Sequence, residues 1–253
     1  MENDETVNKG GEMDVYKQAA EIIKNSKNLV AFTGAGISKE SGIPTFRGED
    51  GLWSKYDPII LDIDYFKNNP KDSWEAIRDI FYKFMQNVKP NPAHYFLADL
   101  EKKGILKGII TQNIDNLHQE AGSKKNVVEF HGTTKKVECM GCKRKYPVEI
   151  VDFQNLPPFC PVCGDVLKPD FVFFGEPIPE DAFRKSIELV ENADTLLIIG
   201  TTGEIMPASQ LPYMARGRII EINPNKSAYT DKIVDVYIPE KAGVAAEKLK
   251  GLI

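Results

Sequence analysis

The fold is indicated first by the stretch Asn28-Leu29-Val30-Ala31-Phe32-Thr33-Gly34-Ala35-Gly36. Residues 28–32 predict a short buried strand, which runs directly into a turn that contains two glycines. Upstream, residues 15–23 carry Val, Ala and Ile side chains at the spacing of an amphipathic helix. The local order is therefore helix, strand and glycine turn.

Downstream, the same alternation continues. Short apolar runs predict strands at residues 108–111, 127–130, 195–199 and 218–222, with helical patterns between several of them. Asn91-Pro92 predicts the start of a helix, because Asn caps helices and proline at the first helical position loses no needed hydrogen bond. This alternation predicts an α/β fold in which helices cover both faces of a parallel sheet.

Two stretches interrupt the alternation. Residues 44–89 are rich in aromatic residues and helical pattern, and residues 133–168 hold the cysteines together with prolines and turn residues. We expect these stretches to be insertions that together form a smaller module. The remaining ranges, 13–43, 90–132 and 169–253, are then expected to form the large domain.

Composition excludes several classes of protein. The chain has 253 residues, 42% of them hydrophobic, which is enough for a sizeable core. A net charge of -5 makes direct nucleic-acid binding a poor expectation. No apolar run approaches the roughly 18 residues of a membrane span, and the first residues lack the pattern of a signal peptide. A protein of the cytoplasm, without membrane attachment, is expected.

All four cysteines fall in two C-x-x-C pairs. Cys139 and Cys142 are separated by seventeen residues from Cys160 and Cys163, within the spacing range of four-cysteine zinc sites. Four ordinary buried cysteines are the alternative, and the paired spacing argues against it. A shell of four thiolates leaves no position for water or substrate, so we expect one zinc ion with a structural role.

The glycine turn is a weaker signal when taken alone. Gly34-Ala35-Gly36 after a strand suggests close approach of the backbone to a pyrophosphate at a helix N-terminus. The usual dinucleotide fingerprint would have its third glycine at the position of Lys39, so a turn that only reverses the chain is the alternative. Two later predicted strands end near Gly200-Thr201-Thr202 and Asn223, and ligands bind at such carboxyl ends.

Several short motifs follow one another in a fixed order, namely Gly34-Ala35-Gly36-Ile37-Ser38, Gly42-Ile43-Pro44-Thr45-Phe46-Arg47-Gly48, Thr111-Gln112-Asn113-Ile114-Asp115, His131-Gly132, the four cysteines and Phe173-Phe174-Gly175-Glu176. In this order they resemble the motifs of the sirtuin family, here of a single-domain member of the prokaryotic type. Many sirtuins have Asp at Thr45 and Ser at Thr202, and the stretch 204–206 also departs from their pattern. The resemblance implies a Rossmann-like fold and NAD as co-substrate.

The resemblance also implies roles for individual residues. The residues implied to contact NAD are Gly34, Ala35, Gly36, Ser38, Phe46, Arg47, Gln112, Asn113, Ile114, Asp115, His131, Gly200, Thr201, Thr202, Asn223 and Ala242. The implied catalytic residues are His131, as general base, with Asn113 and Asp115. The residues implied to pair with a substrate peptide as an added strand are Val172, Phe173, Phe174, Gly175 and Glu176.

The chemistry of these residue types agrees with the implied roles. Histidine accepts a proton near neutral pH, so His131 at a strand end suits activation of a ribose hydroxyl, with a purely structural histidine as the alternative. His94 and His118 fall in predicted helices, where packing or capping is the expected role. Asn113 and Asp115 have the alternative of capping the following helix.

The activity implied by the resemblance is NAD-dependent removal of the acyl group from lysine in a protein or peptide. Nicotinamide leaves, the ADP-ribose unit takes up the acyl group, and the products are free lysine, nicotinamide and O-acyl-ADP-ribose. Three alternatives are a mono-ADP-ribosyltransferase, a non-catalytic sensor of NAD or O-acyl-ADP-ribose, and an NAD dehydrogenase. The broken glycine fingerprint argues against the dehydrogenase, and the presence of His131 and Asn113 argues against the sensor.

The preferred acyl group is expected to be uncharged. Sirtuins that remove succinyl groups have a Tyr and, three residues later, an Arg after a Trp-Glu pair, and our alignment places Ile77 and Ile80 at these positions. A carboxylate buried against an apolar wall costs several kcal/mol. Arg78 and Tyr82 lie close by in the opposite order, so a shift in register would bring Arg78 toward the pocket.

Overall fold

The computed structural model describes residues 4–45, 51–83 and 87–253. Its strands are β1 (Leu29–Thr33), β2 (Leu106–Thr111), β3 (Val127–Glu129), β4 (Gly132–Cys139), β5 (Lys145–Pro147), β6 (Leu167–Phe171), β7 (Thr195–Ile199), β8 (Arg218–Ile222) and β9 (Val236–Ile238). The α-helices with described bounds are α1 (Asp4–Asn25), α2 (Ile63–Asn68), α3 (Pro70–Ile77), α4 (Pro92–Lys102), α5 (Leu117–Glu120), α6 (Glu180–Asn192) and α7 (Ala242–Lys250).

The larger sheet is parallel and has the strand order β3-β2-β1-β7-β8-β9. Phe32 in β1 lies opposite Ile110 of β2 and Ile198 of β7. All five residues of β1 and of β7 are buried, because both faces of the sheet are covered. The strand predicted at 28–32 is confirmed with a shift of one residue, and β9 is an additional short strand without a predicted counterpart.

Helices pack on both faces of this sheet, as the alternation predicts. One apolar cluster joins α1, α4 and α7 to residues such as Leu29 and Ala31 of β1. A second cluster joins Val190 of α6 to Val30 and Phe32 from the opposite face of β1. Burial of each large side chain in these layers stabilises the fold by about 1.5–3 kcal/mol.

A second sheet is small, antiparallel and has the order β5-β4-β6. Its apolar residues share a cluster with the helical stretch that contains α2 and α3. Trp74 is fully buried there, and its indole N–H donates to the carbonyl of Leu167 at 2.7 Å. The two interrupting stretches of sequence are thus packed against each other.

The start of α4 has the cap that the sequence predicts. The side chain of Asn91 accepts from the N–H of Ala93 at 2.9 Å, and Asn91 N–H donates to Nδ1 of His94 at 3.2 Å. Two buried backbone donors without a partner inside the helix are thereby satisfied at its start. Among the described residues, no helix has the length and apolar character needed to cross a membrane.

The topology places a reversal of strand order at the carboxyl end of β1. The chain builds outward from β1 to β2 and β3, and then returns to β7 on the other side of β1. In open α/β sheets, ligands bind outside the carboxyl ends of the strands at such a reversal of strand order.

Candidate active site

Two glycine turns meet at the carboxyl ends of β1 and β7. Gly34 N–H donates to Ile199 O at 3.0 Å, and Gly36 N–H donates to Gly200 O at 2.8 Å. A Cβ atom on Gly36 would lie 2.7 Å from the Cα atom of Gly200. The glycines are therefore required by the approach of one turn to the other. After Gly34 the chain enters a 3-10 helix, Ala35–Ser41, where the sequence suggested an ordinary helix start.

A buried hydrogen-bond network lies beside these turns. The side-chain amide of Asn113 donates to Gly34 O and to Ser38 Oγ, each at 3.1 Å. Ser38 Oγ–H in turn donates to Oδ2 of Asp115 at 2.7 Å. Four predicted site residues from two separate motifs are thus joined directly.

Asp115 combines the proposed site role with a capping role. Its Oδ1 atom accepts from the N–H of Leu117 at 3.0 Å at the start of α5, while Oδ2 accepts from Ser38. Burial raises the pKa of Asp115, and the hydrogen bonds from Leu117 and Ser38 oppose that rise. Asn113 makes no cap of α5 among its described contacts and points to the glycine turn instead.

His131 has a fixed tautomer. Its Nδ1 atom lies 3.0 Å from the carbonyl oxygen of Gln112, which can only accept, so Nδ1 carries the proton. The other ring nitrogen, Nε2, is therefore the basic one. Burial lowers the pKa of His131, against the opposing effect of the Gln112 carbonyl, so the ring is neutral at pH 7.

Side chains also connect the ends of β2, β7 and β8. Gln112 Nε2 donates to Oγ1 of Thr201 at 3.1 Å, and Asn223 Nδ2 donates to Thr201 O at 3.1 Å. The exposed Thr202 donates to a carboxylate oxygen of Glu204 at 3.3 Å. The ends of these strands therefore form one continuous polar surface. We call this surface, which contains Gln112, Thr201 and Asn223, the polar strand edge.

Four other residues predicted to contact NAD are Ile114, Ala242, Phe46 and Arg47. Ile114 is 9% exposed and belongs to the apolar cluster of the small sheet. Ala242 is the first residue of α7, and the next residue, Gly243, donates its N–H to Glu40 Oε2 at 2.6 Å at the end of the 3-10 helix. Phe46 and Arg47 lie outside the described residues.

The structure brings His94 and His118 into this network, beyond the packing or capping role expected for them, of which His94 has the capping one. Because Nδ1 of His94 accepts from Asn91, its Nε2–H faces Ser38 Oγ at 3.4 Å. His118 Nε2 lies 2.9 Å from Thr33 Oγ1, and the two imidazole centroids are 5.1 Å apart. Their places in predicted helices gave no signal of this pairing.

Residues 172–176, the 172–176 segment, lead from β6 past His131. Val172 N–H donates to His131 O at 2.9 Å. Phe174 forms a bridge of two backbone hydrogen bonds, to Leu61 O at 2.8 Å and from Ile63 N–H at 3.0 Å. The C=O of Val172 and the N–H of Gly175 have no hydrogen-bond partner within the part of the chain that the structure describes.

The four cysteines come together as the spacing predicts. Their sulfur atoms all lie within 4.8 Å of one another, and Cys142 N–H points at the sulfur of Cys139 at 3.4 Å. A soft, four-sulfur set of this size fits tetrahedral zinc. Tyr146, which the sequence analysis did not identify, places its hydroxyl 3.2 Å from the sulfur of Cys160.

Comparison with known proteins identifies the family. The model of the Sir2 family matches residues 34–207. The chain is 45% identical over 240 residues to a Pyrococcus abyssi protein named NAD-dependent protein deacylase, covering 89% of this chain and 93% of that protein. It is also 45% identical over 244 residues to NAD-dependent protein deacetylase 1 of Pyrobaculum aerophilum, covering 93% and 94%. The chain belongs to the Sir2 family.

Solved Sir2 structures have the same fold. A Sir2 homologue crystallised with NAD superposes with a TM-score of 0.85 at 40% identity, covering 93% of each chain. A Sir2 protein in complex with a p53 peptide and NAD+ gives a TM-score of 0.83 at 36% identity, covering 93% of this chain and 97% of that one. The family resemblance and the Rossmann-like fold inferred from the sequence are confirmed.

Proposed function

We propose that this Sir2 chain is an NAD-dependent protein-lysine deacylase that releases nicotinamide, O-acyl-ADP-ribose and free lysine. The observation that carries the proposal is the state of His131, a neutral imidazole whose basic Nε2 is fixed by the bond from Nδ1–H to Gln112 O. A base of this kind suits removal of a proton from a ribose hydroxyl. The names of the relatives from Pyrococcus and Pyrobaculum support the same activity.

The buried network supports a site for the nicotinamide end of NAD. Asn113 and Asp115 are fixed by Ser38 rather than by solvent, so their remaining polar atoms are oriented before a ligand arrives. Asn113, Asp115 and His131 are the residues that we assign to the chemistry.

The other NAD contacts follow the polar strand edge. We assign them to Gly34, Ala35, Gly36, Ser38, Phe46, Arg47, Gln112, Ile114, Gly200, Thr201, Thr202, Asn223 and Ala242. The hydrogen bonds that link Gln112 and Asn223 to Thr201 support this assignment, because they hold the ends of three strands in one surface.

The peptide substrate is expected to bind along the 172–176 segment as an added strand. The C=O of Val172 and the N–H of Gly175, which have no partner among the described residues, supply one acceptor and one donor for an extended chain. Main-chain pairing of this kind tolerates varied side chains, which suits an enzyme that acts on acylated lysine in different sequences.

An apolar environment favours an uncharged acyl group. Ile77 and Ile80 are buried and share one cluster with Ile114, the neighbour of Asn113. Arg78 instead donates to Asp79 at 2.8 Å and to the carbonyl of Phe153 at 3.4 Å. This arrangement supports acetyl over succinyl, because the guanidinium of Arg78, the cation next to these isoleucines in the sequence, is already paired with Asp79 and Phe153 O.

The zinc ion held by Cys139, Cys142, Cys160 and Cys163 would stabilise the small sheet. With four sulfur ligands it has no open coordination position. Its role is therefore to stabilise the fold, and it takes no part in proton transfer. The division into a large domain of residues 13–43, 90–132 and 169–253 and a small domain of residues 44–89 and 133–168 is part of the same proposal, as is the cytoplasmic location.

The reaction is tested by mass spectrometry of the products formed from NAD and a peptide containing acetyl-lysine. Free lysine and O-acetyl-ADP-ribose in equal amounts are expected. Incubation with NAD labelled in its ADP-ribose part is the control: label that remains on protein would identify a mono-ADP-ribosyltransferase. Binding of NAD with no product at all would identify a sensor.

A further inference from the structure

Lys168 in β6 is a buried cation. Only 6% of the residue is exposed, although an ammonium group is costly to remove from water. Its Nζ donates to Pro169 O at 2.8 Å and to Phe171 O at 2.7 Å, and forms an ion pair with Glu176 Oε2 at 3.0 Å. Burial lowers the pKa of Lys168, and the carboxylate of Glu176 opposes this shift. All three N–H donors therefore have partners, which is the condition for keeping the charge inside.

These partners lie at the two ends of the 172–176 segment. Phe171 directly precedes it, and Glu176 is its last residue. The same oxygen, Oε2 of Glu176, also accepts from Phe173 N–H at 2.9 Å. The ammonium lies 4.2 Å from the centroid of the Phe173 ring, which is 1% exposed. One side chain thus connects the entry, the centre and the exit of the segment.

Near its exit the segment is held by a turn, in which Glu176 N–H donates to Phe173 O at 3.0 Å, and by a backbone bridge. Its bridge to Leu61 and Ile63 runs through Phe174 alone. Gly175 then turns the chain at a φ of +86°, in the left-handed region that favours glycine. Without the Lys168 contact, Glu176 loses the cation that holds its carboxylate over the N–H of Phe173.

We propose that Lys168 is a positioning residue that holds the 172–176 segment, with its turn at Gly175, in the form to which an acyl-lysine peptide pairs. The inference rests on the proposed function, since it concerns how the peptide is bound. Lys168 touches neither the polar strand edge nor His131 among its described contacts, so its effect is confined to the peptide side of the site.

The test compares Lys168→Met, Lys168→Arg and the matched control Lys145→Met in the full zinc-loaded chain. Lys145 lies in β5, which β4 separates from β6, is 52% exposed at its side chain and pairs with Asp170 at 2.9 Å and with Glu138 at 3.6 Å, not with a residue of the segment. Hydrogen exchange is followed at the N–H groups of Phe173 and Glu176. The KM values for NAD and for an acetyl-lysine peptide, with kcat, are measured separately.

In Lys168→Met we expect exchange at both amides, and KM for the peptide, to rise about tenfold or more, because a charged and buried partner is lost. KM for NAD and kcat should stay within about twofold, because the loss affects ground-state and transition-state binding of the peptide alike. Lys168→Arg should restore most of the slow amide exchange and of the low peptide KM of the unaltered chain. Lys145→Met should change neither quantity.

Unchanged exchange and peptide KM in a folded Lys168→Met, or an equal rise in KM for NAD, would overturn the inference. If Lys168→Met loses zinc or fails to fold, Glu176→Gln is measured in its place and must change in the same direction. If the unaltered chain releases no free lysine, the proposed function fails, and the exchange rates alone decide whether Lys168 fixes the segment.

Discussion

Acid should destabilise this protein through the buried pair His94 and His118. Both are at most 1% exposed, and His94 is surrounded by Asn91, Ser38 and the ring of His118. Burial lowers the pKa of His94 from 6.5 to about 4, and burial also lowers the pKa of His118. If Nδ1 of His94 gained a proton, its N–H would face Asn91 N–H, and two donors would oppose each other.

Stability falls with falling pH because the pKa of His94 is lower in the folded chain than in the unfolded chain. Between pH 6.5 and pH 4 the unfolded chain binds a proton at His94 that the folded chain does not. The contribution of His94 is therefore complete above pH 6.5 and is lost as pH falls toward 4. Linkage gives a loss of about 2 kcal/mol between pH 7 and pH 5 for His94, which is large beside a typical stability of about 5–15 kcal/mol. His118 acts in the same direction.

The assay is urea unfolding at pH 7, 6 and 5 with excess zinc and constant ionic strength, for the unaltered chain, His94→Gln and Tyr95→Gln. Because thiolate ligation also depends on pH, only differences between chains are compared. His94→Gln should be less stable at pH 7 yet should lose about 2 kcal/mol less on acidification. Tyr95, 47% exposed on the same helix, is the matched control. Equal pH dependence in all three chains would refute the reasoning.

Further expected outcomes concern the metal, the base, the acyl group and the glycine turn. Cys163→Ala should reduce zinc from about one ion per chain and unfold the small sheet, since metal binding there is folding free energy; a metal-free chain with an unchanged melting temperature would contradict this. His131→Ala should lower kcat by about 10² to 10⁴ with NAD affinity retained, and in the unaltered chain kcat/KM should fall in acid with an apparent pKa below 6.5, because the neutral ring is the active form and burial lowers its pKa; loss of NAD affinity would make His131 structural. On one peptide, kcat/KM for acetyl-lysine should exceed that for succinyl-lysine by at least about tenfold, and Arg78→Ala should not change this ratio; equal turnover would show that a cation reaches the pocket. Gly36→Ala should cost about 1–3 kcal/mol in unfolding free energy, whereas Gly251→Ala, whose Cβ would meet only Lys248 O at 3.6 Å, should be near neutral.

The sequence determined those features whose cause is local. A continuous apolar run predicts a strand covered on both faces, so β1 and β7 are found within a residue of the expected positions. Asn91 before a proline predicts the helix start, because the cap is formed by its own neighbours. The cysteine spacing predicts the zinc ligands, because each pair is closed by a tight turn.

Tertiary structure decided the features that depend on distant partners. Gly36 is required by Gly200, which follows the end of another strand, β7, and no local pattern reveals that approach. His94 faces Ser38, and Tyr146 faces Cys160, only because separate elements pack together. Lys168 shows a different limit: its two carbonyl partners and Glu176 are near it in the sequence, but a lysine near the start of a strand is usually solvated, and only the packing of the fold buries its ammonium against them.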